Sequence, residues 1–206
     1  MKRKILLILS SILLITGCTK NNDKVVEPQH VDENPIVTMT IKDYGDIVIE
    51  LYPNEAYNTV ANFVTLIENG FYNNNIINRI QKGFVIQGGA GKDIDYSIEG
   101  EFAKNGKTNN ISHEKGVISM ARTDFPDSAG GQFFIMLDDD TSLNGLYAAF
   151  GKVINGMDVV EKIAETEFDD YEVPSMGFLK AKDYITIEKT IVDTKGYTYQ
   201  VNKIKK

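Results

Sequence analysis

Hydrophobic and polar residues change their spacing several times along this chain, and each change marks an element. Val37, Met39 and Ile41 alternate with polar residues, Asp43-Tyr44-Gly45-Asp46 supplies a turn, and Ile47, Ile49 and Leu51 resume the alternation. That pattern predicts a hairpin with one buried face. From Asn54 the spacing turns helical, with Ala56, Val60, Phe63 and Ile67 on one side and Asn69-Gly70 as the stop, because a helix ends readily on a residue that accepts positive φ. Six further short β-rich runs follow, at residues 76–80, 84–87, 116–121, 132–136, 148–153 and 184–192, separated by Gly, Asn and Asp clusters. Met157, Val160, Ile163 and Ala164 mark a second short helix, opened by Asn155-Gly156. Eight short strands with two helices predict a mainly β chain closed into a barrel, its open ends covered by the helices, since closure removes exposed strand edges.

The first residues read differently. Lys2, Arg3 and Lys4 precede an almost wholly apolar run at residues 5–15, then Thr16, Gly17 and Cys18. The run is too short for a membrane span, which takes roughly 20 residues, and fits an export signal. Ile15-Thr16-Gly17-Cys18 resembles a bacterial lipobox, in which the cysteine receives a diacylglyceryl group and becomes the mature first residue. Cys18 is the one cysteine in the chain. The expected organisation is a lipoprotein signal peptide at 1–17, a lipidated Cys18 with a flexible tether at 18–34, a folded domain at 35–194 and a basic tail or edge addition at 195–206. His30 falls in the tether, with nothing near it in sequence that would make it a ligand. Two acyl chains anchor stably where one is marginal, so the expected location is the outer face of a bacterial membrane.

Charge and composition then remove whole classes of function. The net charge is −7, and loss of the signal, with three basic residues and no acid, takes it to −10. A body of that sign repels polyanions, so no nucleic-acid partner is expected. One cysteine and two histidines exclude an intramolecular disulfide and a Cys- or His-rich metal cluster. Gly88 to Lys92 imitates a phosphate loop, but Ile86 and Asp93 stand where the motif requires Gly and Ser or Thr. Asp138-Asp139-Asp140 lacks the glycine and glutamate of a calcium loop, with Leu143 and Ala149 in their places. Neither GxSxG nor HExxH is present. His113, just ahead of a strand, reads as a hydrogen-bonded structural histidine. No metal and no cofactor is expected.

Five ordered blocks carry a resemblance across about residues 35–192: VANFVTLIENGFY (60–72), INRIQKGFVIQGG (77–89), GVISMAR (116–122), SAGGQFFI (128–135) and LNGLYAAFGKVINGMDVVEKI (143–163). The chain resembles the cyclophilin-type peptidyl-prolyl cis-trans isomerases. The resemblance implies a closed eight-stranded antiparallel barrel capped by two α-helices, a monomer, and proline-containing segments of exported proteins as partners. It places the catalytic arginine at Arg79, an apolar floor at Phe84 and the arginine-orienting glutamine at Gln87. The proline pocket would be lined by Phe84, Met120, Phe134 and Leu143, with Gln132 beside it and backbone groups of Ala121 and Arg122 offered to an extended peptide. Three positions depart from the family pattern. Its FHR reads Ile77-Asn78-Arg79, its frequent tryptophan reads Ser142, and its pocket histidine reads Tyr147, whose hydroxyl can still face a substrate. The missing indole implies only weak binding of cyclosporin, the cyclic peptide inhibitor of the family.

Three functions stay open on the residues: an isomerase, a non-catalytic surface lipoprotein that holds proline-containing segments, and a lipid-anchored structural lipoprotein. Arg79 paired with Gln87 favours the enzyme, because binding a proline ring needs an apolar pocket and not a preorganised cation.

Overall fold

A computed structural model describes residues 25–168 and 171–205, so the signal segment and Cys18 lie outside the described residues. The elements are, in chain order, β1 (Ile36–Ile41), β2 (Gly45–Leu51), α1 (Tyr57–Glu68), β3 (Asn75–Gln81), β4 (Val85–Gly88), β5 (Tyr96–Ser97), β6 (Val117–Met120) and β7 (Phe133–Met136). They continue with β8 (Ala149–Asn155), α2 (Met157–Glu165), β9 (Tyr171–Val173), β10 (Phe178–Leu179), β11 (Ile185–Asp193) and β12 (Ile204–Lys205).

The strands run β11-β1-β2-β8-β6-β7-β4-β3, and β3 pairs back onto β11. Every pairing is antiparallel, so the eight predicted runs close into the expected barrel. Alternation along each strand sends one set of side chains inward. Val37, Met39, Ile47, Ile49, Ile77, Ile86, Ile118, Phe133, Ile135 and Phe150 belong to one buried cluster inside. Val85, Val117, Phe134, Met136 and Ala149 form a second, smaller apolar cluster from the opposite faces of the same strands. This outer cluster underlies the functional site.

Helix α1 is buried on nearly all sides, and Phe63 packs among Tyr72, Phe133 and Phe150 at ring-centre distances of 4.8, 5.8 and 5.1 Å. Its free N-terminal amides are satisfied from a distant loop: the Glu101 carboxylate accepts from the amides of Asn58 (3.1 Å) and Thr59 (2.7 Å). Gly70, at φ +68°, closes the helix through a bond from its amide to the Ile67 carbonyl (2.9 Å), as the Asn69-Gly70 signal predicts.

The expected tether departs from expectation where it is described, and the C-terminal segment takes one of its two expected forms. Val31 of the expected tether is only 2% exposed. The Asn202 side chain accepts from the Val26 amide and donates to the Val26 carbonyl, both at 2.8 Å. The Asn202 backbone is matched in the same way by the Asn58 side chain at 2.7 and 3.1 Å. Two asparagines thus imitate strand pairing and stitch both ends to α1. Tyr199 is buried in the main cluster, and β12 pairs with β5, so the basic tail is an edge addition. Hydrophobic periodicity misses such segments because single apolar residues and side-chain amides, not apolar stripes, hold them. His30 stays on the surface, 3.8 Å from Asp32.

Candidate active site

Arg79 reaches the outer face of the barrel through an irregularity. Simple alternation from the buried Ile77 would turn Arg79 inward and Ile80 outward. Instead the register of β3 against β4 shifts between Ile77 and Arg79. This bulge leaves Asn78 as the extra residue, so Ile77 and Ile80 are both buried while Arg79 faces out. A cation inside the barrel would be unpaired; the bulge avoids that cost.

Once outside, the guanidinium is held on three sides. Nε donates to the Met176 carbonyl (2.8 Å), Nη1 to Gln87 Oε1 (3.1 Å) and Nη2 to Gln81 Oε1. Gln87 is fixed in turn, its Nε2 donating to Gln132 Oε1 at 3.0 Å. The rings of Phe84 and Phe178 lie 5.8 and 5.7 Å from the guanidinium carbon, within cation–π range. Burial pulls the Arg79 pKa below its ordinary value, but an arginine still remains a cation at neutral pH. Five N–H groups with three engaged leave one on each terminal nitrogen for a ligand.

Beside this cation lies a cavity of about 340 Å³ lined by Arg79, Phe84, Val85, Gln87, Ala121, Arg122, Phe134, Leu143, Tyr147, Met176 and Phe178. Gln132 lies on a neighbouring cavity of about 370 Å³ that shares Gln87, Ala121 and Arg122 with the first. The Ala121 amide is already engaged with the Gln132 carbonyl (2.9 Å), so an extended peptide would use the Ala121 carbonyl and the Arg122 amide. Tyr147 packs edge-on against Phe134 at 5.5 Å. The Arg122 guanidinium, 4.7 Å from the Tyr147 ring and 5.1 Å from Phe102, ties down the Leu146 carbonyl at 3.1 and 2.9 Å.

Of the residues read from sequence, Arg79, Phe84, Gln87, Ala121, Arg122, Gln132, Phe134, Leu143 and Tyr147 are brought together. Met120 is not. It is 1% exposed and packs with the inward set beside Ile118, whereas Val117 and Ser119 occupy the outward parity of β6. The apolar position that lines the pocket is Val85, one residue from Phe84 and on the outward parity of β4. Counting inward and outward positions along 84–87 and 116–121 reveals the correction. Gln81, Met176 and Phe178 carried no such signal.

His113, 1% exposed, braces the loop that carries Leu143 and Tyr147. Its amide donates to Asn144 Oδ1 (2.8 Å), and Nδ1 lies 3.1 Å from the same oxygen. Nδ1 therefore carries the proton and Nε2 accepts from the Ser119 hydroxyl at 3.2 Å. Burial outweighs the Asn144 bond and the Asp140 charge and holds the imidazole pKa below its ordinary value. On acidification the unfolded chain therefore takes up this proton before the folded one. The stabilisation is fully present above about pH 6.5 and is lost as pH falls below that. Urea midpoints at pH 7 and pH 5 should drop more for the parent than for His113→Gln; equal drops would remove His113 from the account.

A family model described as cyclophilin type peptidyl-prolyl cis-trans isomerase/CLD matches residues 36–190. A peptidyl-prolyl cis-trans isomerase of Acinetobacter baylyi is 42% identical over 149 residues, 69% of this chain and 78% of that protein. Peptidyl-prolyl cis-trans isomerase B of Escherichia coli is 40% identical over 130 residues, 59% and 79% of the two chains. Among solved structures, a Cryptosporidium parvum cyclophilin determined in the presence of the dipeptide Ala-Pro aligns with a TM-score of 0.64 and 28% identity, covering 77% of this chain and 98% of that one. With the outward arginine, its glutamine and the apolar cavity already in place, these matches establish that the chain belongs to the cyclophilin-type peptidyl-prolyl cis-trans isomerases.

Proposed function

We propose that this isomerase acts on X-Pro bonds of exported or surface proteins while lipid-anchored through Cys18 to the outer face of a bacterial membrane. The carrying observation is Arg79, immobilised by Gln87, Gln81 and the Met176 carbonyl at the mouth of an apolar cavity. Rotation about an X-Pro bond meets a barrier of roughly 18–20 kcal/mol because the planar amide is resonance-stabilised. No bond is broken, so the catalyst needs only to favour the twisted amide. The proline ring seats on Phe84, Val85, Phe134 and Leu143. The two free N–H groups of Arg79 then face the prolyl nitrogen, whose lone pair localises on twisting, and the prolyl carbonyl. A bond to that lone pair exists only in the twisted state, which makes it differential binding of the transition state. A barrel that merely held proline segments would need the apolar walls and no fixed cation.

The extracellular context rests on the lipobox-like ITGC at residues 15–18. The test follows the full chain in cells. The parent should fractionate with membranes and take up labelled lipid, and Cys18→Ala should lose the lipid label. A Cys18→Ala protein that is processed and stays with membranes like the parent would refute the anchor. Two-dimensional NMR exchange on a short Ala-Pro peptide tests the activity in the same preparation.

A further inference from the structure

The segment from Tyr171 to Leu179 has no counterpart among the predicted strands, yet it builds one wall of the site. β10 pairs with β3 at Phe178 opposite Arg79, and β9 pairs with β10. Leu179, fully buried, and the Gly177 carbonyl, which accepts from the Ile80 amide at 2.8 Å, hold this short hairpin against the barrel. Gly177, at φ +74°, packs so closely on β3 that a Cβ there would sit 2.1 Å from the Ile80 carbonyl oxygen. The hairpin is thus fixed, and it presents two apolar side chains to the cavity: Phe178, half-buried, and Met176, 50% exposed. Neither is required by the barrel core.

The direction of a bound peptide says what meets them. On the reading that Arg79 takes the prolyl carbonyl, which this inference rests on, the next residue begins at that carbonyl carbon. Its Cα lies about 3.8 Å from the prolyl Cα, so its side chain emerges beside the guanidinium. Of the walls that the proline ring leaves uncovered, Met176 and Phe178 are the apolar ones against the guanidinium, the first through its carbonyl at 2.8 Å and the second with its ring at 5.7 Å. The residues before the proline run the other way, past Gln87 and Ala121 to the neighbouring cavity of about 370 Å³. We propose that Met176 and Phe178 form a subsite for a large apolar or aromatic side chain on the residue that follows the proline. A thioether and a ring favour such an occupant, since sulfur–aromatic and apolar contacts add to its burial. A lysine or arginine there would face Arg79 and be disfavoured.

NMR exchange kinetics on Ala-Ala-Pro-Xaa peptides, with Xaa as Phe, Leu, Ala or Lys, test this on the parent, Phe178→Ala and Met176→Glu. The parent should turn over the Phe and Leu peptides with kcat/KM about tenfold above Ala, mostly through KM, because the contact exists in ground and transition states alike. Phe178→Ala should bring the Phe-to-Ala ratio to within about twofold, as expected when the ring's burial is lost. Met176→Glu keeps the backbone carbonyl that anchors Arg79. It should raise the Lys-to-Ala ratio several-fold over the parent, a gain that a misfolded site cannot give. A parent ratio near one, or variants that keep the parent's ratios, would overturn the subsite while leaving the isomerase intact. A parent inactive on every peptide would instead overturn the isomerase reading, and the subsite with it.

Discussion

Arg79→Ala is expected to lower kcat/KM for X-Pro exchange by a hundredfold or more while leaving the fold in place. Removing a single preorganised donor to developing charge typically costs about 2.7–4 kcal/mol of transition-state stabilisation, or 10²–10³ in rate. Arg79 offers two such donors in a site that has already shed part of its water. Its loss should fall on kcat more than on KM, because the bond to the localised nitrogen lone pair does not exist in the planar substrate. Stability should change little. The groups released, Gln81, Gln87 and the Met176 carbonyl, border an open cavity where water can replace the guanidinium. Arg79→Lys should recover only part of the activity, since one ammonium cannot hold three acceptors in a planar fork and still serve the substrate. Gln87→Ala should produce a smaller fall in kcat by freeing Nη1. Circular dichroism and thermal melts establish folding, and NMR exchange gives the rates. A folded Arg79→Ala protein with parental activity would refute this mechanism.

The eight barrel strands and both helices were legible because apolar residues recur along them at a period of two or 3.6, or fill short runs bounded by turn residues as in β6 and β7, which are buried on both faces. What periodicity could not deliver was parity after an irregularity. The run Ile77-Asn78-Arg79-Ile80 places its apolar residues three apart, which no regular strand satisfies. That misfit is the trace of the bulge that turns Arg79 outward. Met120 was misplaced for the related reason that a residue's inclusion in a strand does not state its face. Ile118 fixes Met120 as inward on β6, just as Ile86 fixes Val85 as outward on β4. The hairpin at 171–179 and the N-terminal strap left no trace, and the C-terminal segment showed only as a tail or an edge addition. Their strands are two or three residues long, too short to show a period, and are secured by a glycine in close contact and by asparagine side chains.

Ser142→Trp is expected to tighten cyclosporin binding by about one to two orders of magnitude and to alter peptide turnover only modestly. Ser142 is the exposed middle residue of the turn Thr141–Leu143, immediately before Leu143 on the cavity wall. The turn is braced by backbone bonds in addition to the one that the Ser142 hydroxyl donates to the Asp140 carboxylate. Asp140 accepts from the Ser142 amide at 3.0 Å, the Asp140 amide donates to the His113 carbonyl at 2.9 Å, and the Leu143 amide donates to Asp140 at 3.2 Å. A larger side chain at this corner therefore projects into solvent at the rim without repacking Phe134 or Leu143. An indole adds apolar area for the inhibitor to cover and one N–H donor, together about 1–3 kcal/mol, which is roughly tenfold to hundredfold in affinity. A proline ring seated on Phe84, Val85, Phe134 and Leu143, as proposed above, would lie deeper and should register little of the change. Calorimetric titration of parent and variant reads the difference directly. Equal affinities would show that position 142 does not limit the inhibitor.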